Sequence, residues 1–155
     1  MKAAFYFGKE DIRIKDVGVP VLSDGEALIK VRWAGICGSD LTIYKGRDER
    51  VRPPLIIGHE FSGEIVNIAS RSSSKVKVGD RVVVEPLLPC GKCYACRMGM
   101  YHACKSLKIM GVHAPGCFAE FIKVPVSTIY KVPDELSLEL AALIEPVSVA
   151  YHALR

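Results

Sequence analysis

Short segments in which apolar and polar residues alternate, typical of β-strands, fill most of the chain and are separated by glycine, proline and serine turns. Strands are predicted over residues 3–7, 12–17, 28–35, 61–68, 82–84 and 118–124. Residues 51–57 contain Pro53-Pro54, which favours an extended chain over a helix. Residues 71–75 include three consecutive serines and are predicted to form a surface loop.

Helical patterns are confined to two places. The pair Ser39-Asp40 is predicted to cap a short helix that ends at Gly46. The segment after Ser137 has helical spacing, and Pro146 is predicted to break or restart it, with a second helix over residues 147–154. Many short strands with few helices predict a mainly β fold, a partly open β-barrel decorated by loops.

Composition and charge exclude several classes of protein. The 155 residues suffice for one domain with its own core, and the balance of 50% hydrophobic and 25% charged residues is ordinary for a globular protein. The net charge is +4, but the 21 Lys and Arg are scattered without a basic cluster, which argues against a nucleic-acid partner. The apolar runs are too short for a membrane span or a signal peptide, so a cytoplasmic protein is expected.

Four of the six cysteines follow the spacing C-x2-C-x2-C-x7-C. A reducing compartment favours metal binding over disulfides, and closely spaced C-x2-C pairs are poor loop-closing staples. Four thiolates on one short loop are able to close a tetrahedral shell around one zinc. The predicted ligands of this structural zinc are Cys90, Cys93, Cys96 and Cys104.

Zinc-type ligands also occur away from that loop. Cys37 lies in a glycine-rich turn after a predicted strand, and His59-Glu60 opens the strand at residues 61–68. A lone cysteine is most often a buried apolar residue, and a lone histidine is most often structural. Glu145 interrupts an apolar stretch, where a charge is costly unless paired or bound to metal; the alternative is a carboxylate facing solvent at a helix end.

Three motifs in this order resemble the zinc-containing medium-chain alcohol dehydrogenase family. They are Gly-Ile-Cys-Gly-Ser-Asp at residues 35–40, Gly-His-Glu-Phe-Ser-Gly-Glu at residues 58–64, and the four-cysteine loop. The Glu145-Pro146 pair is similar to the sorbitol and butanediol dehydrogenase branch. Cys117 departs from the family pattern, which has glycine before the phenylalanine.

The resemblance implies a GroES-like zinc-binding catalytic domain over residues 1–155, with a structural zinc lobe at about 88–106. It implies two zinc ions per chain, one structural and one catalytic. The catalytic zinc is expected to be held by Cys37 and His59. Glu60 is expected to be either a further ligand or a carboxylate close to the zinc that exchanges with water, and Glu145 to lie at the zinc directly or through a water. Asp40 is expected to orient the ligand histidine, and Ser39 to contact the substrate oxygen and carry its proton away.

The resemblance also implies the reaction, oxidation of a secondary alcohol by hydride transfer to NAD(P). A polyol or diol is the expected substrate, with Tyr44 and Phe118 as candidate pocket residues, although Thr42 and Ile43 stand where relatives often carry His or Tyr. A threonine dehydrogenase, a zinc-free reductase and a non-catalytic zinc-binding module are the alternatives. A homo-oligomer, dimer or tetramer, is expected.

The dinucleotide-binding fingerprint Gly-x-Gly-x-x-Gly does not occur in the sequence. The nucleotide-binding domain is therefore expected to lie outside this chain. The chain is accordingly expected to be the catalytic domain of a longer enzyme, inactive alone.

Overall fold

The computed structural model describes residues 1–69 and 75–154, so the loop predicted at 71–75 lies almost wholly outside the described residues. The strands of the described chain are Lys2–Gly8 (β1), Asp11–Asp16 (β2), Glu26–Gly35 (β3), Leu55–Ile56 (β4), Glu60–Ile68 (β5), Arg81–Val84 (β6), Leu87–Leu88 (β7), Lys108–Ile109 (β8), Phe121–Pro125 (β9) and Ile129–Lys131 (β10). The helices are Gly38–Tyr44 (α1), Tyr94–Arg97 (α2), Leu138–Ala141 (α3) and Ile144–Ala153 (α4), with 3₁₀ turns at Tyr101–Ala103 and Val126–Thr128.

The main sheet has the strand order β10-β6-β5-β3-β9, with every pair antiparallel. A three-stranded sheet, β2-β1-β4, and a two-stranded sheet, β7-β8, accompany it. Within the described residues the edge strands β9 and β10 of the main sheet do not pair with each other, so the barrel is open. The prediction of a mainly β, partly open fold with few helices is confirmed.

Two apolar clusters form the core that supports the region around β3 and β5. The larger one gathers Ile29, Phe61, Ile65 and other buried residues of the main sheet. The smaller one brings Ile43 of α1 together with Ile57, just before β5. Phe118 contacts both clusters. Burial of each such side chain contributes about 1.5–3 kcal/mol, so these clusters fix the ends of β3 and β5 relative to α1.

Helix α1 begins earlier than the sequence predicts. Its first residue is Gly38 and its N-cap is Cys37, so the predicted cap at Ser39-Asp40 is wrong. Asp40 is the third residue of the helix, and its Oδ2 accepts a hydrogen bond of 2.9 Å from the backbone N–H of Cys37. A carboxylate stabilises a helix both at the N-cap and at this third position, so the residue type alone does not tell which of the two positions Asp40 occupies.

The helical pattern is interrupted and a second helix follows, as predicted, but the interruption lies at residues 142–143 and α4 begins at Ile144, so Pro146 lies inside its first turn and not before it. Pro146 is the third residue of this helix, where a backbone N–H has no partner within the helix to lose. The predicted strand at 118–124 is also shorter, because residues 118–120 bond to other segments. Phe118 N donates to Ile57 O at 3.1 Å and Glu120 N to Lys2 O at 3.0 Å, so pairing with β3 is confined to β9 and the residue preceding it.

Across the described residues, none of the helices combines the length and the apolar character that a membrane crossing demands.

Candidate metal centres

The first centre is the four-cysteine lobe between β7 and β8. Cys90 precedes α2, Cys93 is its N-cap, Cys96 lies within it, and Cys104 follows the 3₁₀ turn at Tyr101–Ala103. Their four sulfurs lie within 4.8 Å of one another. The sulfurs of Cys93 and Cys96 are 3.5 Å apart, and those of Cys90 and Cys96 are 4.0 Å apart. A tetrahedral zinc with Zn–S bonds of about 2.3 Å separates its sulfurs by about 3.8 Å, so the cluster fits that ion.

Backbone N–H groups point at these sulfurs. The N–H groups of Cys90 and Ser106 lie 3.3 and 3.4 Å from the sulfur of Cys104. Hydrogen bonds from the N–H groups of Cys96 and Lys105 lower the pKa of Cys93 to about 6. Desolvation raises the pKa of Cys96 to about 12, and the neighbouring cysteine sulfurs reinforce it. Without a cation, the repulsion between neighbouring charges prevents all four thiols from ionising together. A bound zinc ion would offset this repulsion.

The second centre lies where β3 ends and β5 begins. The two strands are antiparallel, with Gly35 directly opposite Glu60, so the end of one lies beside the start of the other. Cys37 follows β3, and His59 precedes β5. The ligand atoms of Cys37, His59 and Glu60 lie within 4.8 Å of one another. Sulfur, imidazole nitrogen and carboxylate oxygen are all zinc donors, so this set also fits zinc.

Asp40 lies behind His59. Its Oδ1 is 3.8 Å from His59 Nδ1, and both atoms are buried without a hydrogen-bond partner among the described residues. Burial raises the pKa of Asp40, while the N–H of Cys37 and the charge of His59 lower it. A metal-bound imidazole commonly gives its other nitrogen to a carboxylate. With Nδ1 facing Asp40, Nε2 is the nitrogen available to a metal beside Cys37 and Glu60.

Glu145 stands next to this set, in the first turn of α4. It is not among the three side chains whose ligand atoms meet within 4.8 Å. Burial raises the pKa of Glu145, the charge of His59 lowers it, and the charge of Glu60 raises it further. Its carboxylate is therefore within electrostatic range of the second centre. It also lines a cavity of about 780 Å³ between α4, β6 and the 3₁₀ turn at Tyr101–Ala103.

The remaining predicted residues lie around α1 and the segment before β9. Ser39 is half-buried in the first turn of α1, between Cys37 and Asp40. Tyr44 ends the same helix with 37% of its surface exposed. The ring of Phe118 packs on Gly58, directly before His59. The lining of the cavity beside Glu145 does not include Tyr44 or Phe118, so their role in a pocket stays a prediction.

The sequence-based predictions did not identify Gly111 and Gly116, whose lack of a side chain allows close packing beside this centre. A Cβ at Gly111 or Gly116 would collide with the backbone of Gly58, so the segment 111–116 approaches the residue before His59 closely. Gly58 itself has φ +93°, a conformation that favours glycine. The clustering of glycines around residues 111–116 was the available signal. Cys117, next to Gly116, is buried, with 1% of its surface exposed.

The fold and the two centres define the class of protein. The family profile "Alcohol dehydrogenase GroES-like domain" matches residues 23–134. The chain belongs to this family, that of the zinc-type alcohol dehydrogenases, as the motifs around Cys37 and His59 predicted. The open, mainly β fold described above is the GroES-like fold of its catalytic domain.

Individual relatives lie within the same family. The chain is 45% identical to sorbitol dehydrogenase of Bacillus subtilis over 99% of its length, and 44% identical to L-threonine 3-dehydrogenase of Pyrococcus horikoshii over 97%. A crystal structure of an alcohol dehydrogenase from Escherichia coli CFT073 with NADH superposes on 97% of the chain with a TM-score of 0.90 and 38% identity. The chain spans 44%, 43% and 44% of these three proteins, which is less than half of each.

Proposed function

We propose that this chain is the metal-binding catalytic part of a zinc-dependent dehydrogenase that oxidises a secondary alcohol of the polyol or diol class with NAD(P). The observation that carries the proposal is the meeting of Cys37, His59 and Glu60 at a centre separate from the four-cysteine lobe. A non-catalytic zinc-binding module would need only the lobe. A second, mixed-donor centre leaves room for a substrate oxygen, as catalytic zinc sites do.

Two zinc ions are proposed, each with its own set of residues. The lobe holds a structural zinc through four thiolates. Cys37, His59 and Glu60 hold the catalytic zinc, with Glu145 near enough to reach it directly or through a water. Zinc in this centre supplies Lewis acidity, which lowers the pKa of a hydroxyl group beside it.

The side chains of α1 orient the centre and move the proton. Asp40 Oδ1 lies 3.8 Å from Nδ1 of His59, too far for a hydrogen bond but close enough for its charge to favour the orientation in which Nε2 faces the metal. Because the carboxylate of Asp40 also accepts the N–H of Cys37, one buried group positions two of the proposed ligands. Ser39 lies between Cys37 and Asp40 in the first turn of α1, and its Oγ is proposed to accept the proton of the substrate hydroxyl while its own proton passes towards solvent.

A nicotinamide cofactor supplies the hydride acceptor. The residues that bind this cofactor are proposed to lie outside residues 1–155, in a part of the protein that corresponds to the remaining length of the longer relatives. The solved relative with NADH supports this cofactor. As in the sequence-based prediction, residues 1–155 are taken as one zinc-binding catalytic domain, and a homo-oligomer, dimer or tetramer, is the proposed assembly of the whole protein.

The substrate class rests on Glu145 and on the relatives. A carboxylate beside the zinc, in place of a further thiolate, is the feature similar to sorbitol and butanediol dehydrogenases, and the sorbitol dehydrogenase relative supports it. The second candidate is oxidation of the hydroxyl of L-threonine, favoured by a relative of almost equal identity. Both substrates are small secondary alcohols, so the same residues would carry out either reaction.

Metal analysis tests the two centres directly. We expect two zinc ions per purified chain, falling to one in Cys37→Ala, because that variant removes only the mixed-donor centre. The control for loss of a thiol is Cys117→Ala, since Cys117 belongs to neither ligand set and its thiol donates to the backbone oxygen of Glu60, at 3.8 Å. One zinc in the wild type, unaffected by Cys37→Ala, would contradict a catalytic zinc in this chain.

Substrate competition tests the reaction. The protein that carries this chain is assayed with NAD+ and with NADP+ against sorbitol, 2,3-butanediol and L-threonine, following formation of the reduced cofactor. We expect kcat/KM for a polyol or diol to exceed that for threonine by at least about tenfold, a difference of about 1.4 kcal/mol in transition-state binding. The reverse order would replace the polyol proposal by the threonine one, and no oxidation of any of the three would contradict both.

A further inference from the structure

We propose that Gly35 is a positioning residue of the second centre: it provides the space in which one oxygen of the Glu60 carboxylate lies. The inference rests on the proposed function, because it concerns how Glu60 meets the metal. The structure gives Gly35 no chemical group of its own. Gly35 matters because it has no side chain at its position in the β3–β5 pair, opposite Glu60.

The strand register creates this contact. Gly35, the last residue of β3, is the direct partner of Glu60, the first residue of β5. A Cβ at position 35 would overlap Oε2 of Glu60, and would stand 3.2 Å from its Cβ and 3.5 Å from its Cδ. The carboxylate therefore folds back over the neighbouring strand, into the volume that a side chain would otherwise occupy.

Backbone conformation does not explain a glycine here. Gly35 is absent from the glycines with positive φ, whereas Gly58, beside His59, has φ +93°. An L-amino acid is therefore able to adopt the backbone of position 35, and the missing Cβ matters only for space. The closest atom to that space belongs to a proposed metal ligand, while the backbone of β5 is not among the three nearest atoms.

A side chain at position 35 would therefore act on the carboxylate. Glu60 is 7% exposed, so its neighbours restrict where its oxygens move. The pair ends the ladder, and the strands are held directly beside it by the next pair, Ala34 opposite Phe61. The displaced carboxylate would shift relative to Cys37 and His59, because one ligand atom from each of the three residues lies within 4.8 Å of the others. The metal geometry, and with it the affinity, would change.

Cobalt(II) in the second centre provides a readout that does not depend on activity. The lobe is first filled with zinc and the second centre with cobalt, and the visible absorption of cobalt reports its ligands and their geometry. We expect Gly35→Ala to alter the band positions or intensities and to weaken metal affinity by about 10- to 100-fold, as found for residues that orient ligands. Zinc in the lobe should be retained.

The matched control is Gly38→Ala, three residues further along the same segment. A Cβ at Gly38 meets no atom within 4 Å, and Gly38 also lies outside the positive-φ set. We expect its cobalt spectrum and affinity to equal those of the wild type. A spectrum of Gly35→Ala that also equals the wild type, in a chain that binds two metals, would overturn the inference and leave the proposed function intact.

A double variant separates the carboxylate from a general effect on the strand. In a Glu60→Ala background the overlapping oxygen is gone, so adding Gly35→Ala should leave cobalt absorption and affinity unchanged. If Gly35→Ala alone does not fold, the double variant should fold, because the overlap with Oε2 is gone and only the 3.2 Å approach of the two Cβ atoms remains. A defect of equal size in both backgrounds would show an action through the backbone and would overturn the proposal. A wild type that binds one metal only would contradict the proposed function itself, and the inference with it.

Discussion

The two candidate metal centres differ in how the chain builds them. The four-cysteine cluster is made from one short segment, residues 90–104, on a lobe attached through a two-stranded sheet. Three of its four cysteines are only partly buried. The other cluster joins the end of β3 to the start of β5, and its histidine and glutamate are 7% exposed. The first depends on local spacing, and the second depends on the register of a sheet.

This difference decides which interactions hold each set of ligands. In the lobe, backbone N–H groups of nearby residues point at the sulfurs, so the local turns already prepare them for a cation. In the second centre, the buried atoms Asp40 Oδ1 and His59 Nδ1 lie 3.8 Å apart and have no hydrogen-bond partner among the described residues. That centre is completed by packing at long range, and it should be sensitive to substitutions that leave the lobe unchanged.

The largest expected effect comes from Cys96→Ser in the lobe. A structural zinc contributes roughly 10–16 kcal/mol of apparent binding energy, and its loss should unfold residues 88–106 locally. Hydrogen exchange followed by mass spectrometry should show loss of protection there and retained protection in β3 and β5. The control Cys117→Ala should keep both metals. Full protection of the lobe in Cys96→Ser would contradict a structural zinc at this place.

The second effect in size is expected from Asp40→Asn. An amide cannot replace the carboxylate charge behind His59, so zinc affinity at the second centre should fall by about 10- to 100-fold. Competition with a chromophoric chelator measures this affinity, and zinc in the lobe serves as the internal reference. Asp48→Asn is the matched control, because the carboxylate of Asp48 pairs with Arg50. Equal affinities for the two variants would argue against an orienting role for Asp40.

A smaller effect is expected from Ser62→Ala. Ser62 is fully buried two residues after Glu60, and its hydroxyl donates to the backbone carbonyl of Leu138 in α3. Loss of this hydrogen bond should lower the free energy of unfolding by about 1 kcal/mol, measured by urea denaturation. The comparison is Ser148→Ala, whose exposed hydroxyl bonds within α4 to Glu145 O at 2.7 Å. A loss for Ser148→Ala as large as that for Ser62→Ala would contradict the importance of the contact between α3 and β5.

The smallest effect on stability is expected from Glu145→Gln, and its sign should differ between the metal-free and the zinc-bound chain. Burial raises the pKa of Glu145 above its unfolded value, so its contribution to stability is complete below the unfolded pKa and is lost as the pH rises through the folded pKa. Above that folded pKa the metal-free chain carries a half-buried charge. Glu145→Gln should stabilise that metal-free chain by about 0.5 kcal/mol in thermal denaturation, the usual scale for a partly exposed position.

With zinc bound, Glu145→Gln should instead lower the midpoint of denaturation, because a carboxylate near the metal is lost. Glu139→Gln in α3 is the matched control and should change neither value by more than about 0.5 kcal/mol. A change of the same sign with and without zinc would argue against a position of Glu145 at the metal.

Much of this arrangement could be predicted, and the reasons differ between the two regions. The spacing of four cysteines specifies a shared centre without knowledge of the fold. The grouping of Cys37 with His59 followed from the resemblance of their motifs, whereas the distance of Glu145 depends on how α3 turns into α4. Sequence patterns also did not reveal that Pro146 lies inside a helix or that Asp40 bonds to the N–H of Cys37. Both depend on where a helix begins, which local propensity determines only to within a few residues.

The placement of the second centre at two adjacent strand ends has an evolutionary consequence. Between Cys37 and His59 the chain leaves the sheet, forms α1 and returns through a loop and the short strand β4. Insertions or deletions in that excursion would leave the register of Gly35 with Glu60 untouched, because the ladder alone sets it. Surface segments of this kind tolerate changes in length. The walls of a substrate pocket could therefore diverge among descendants of one ancestor while the metal-binding chemistry stays the same.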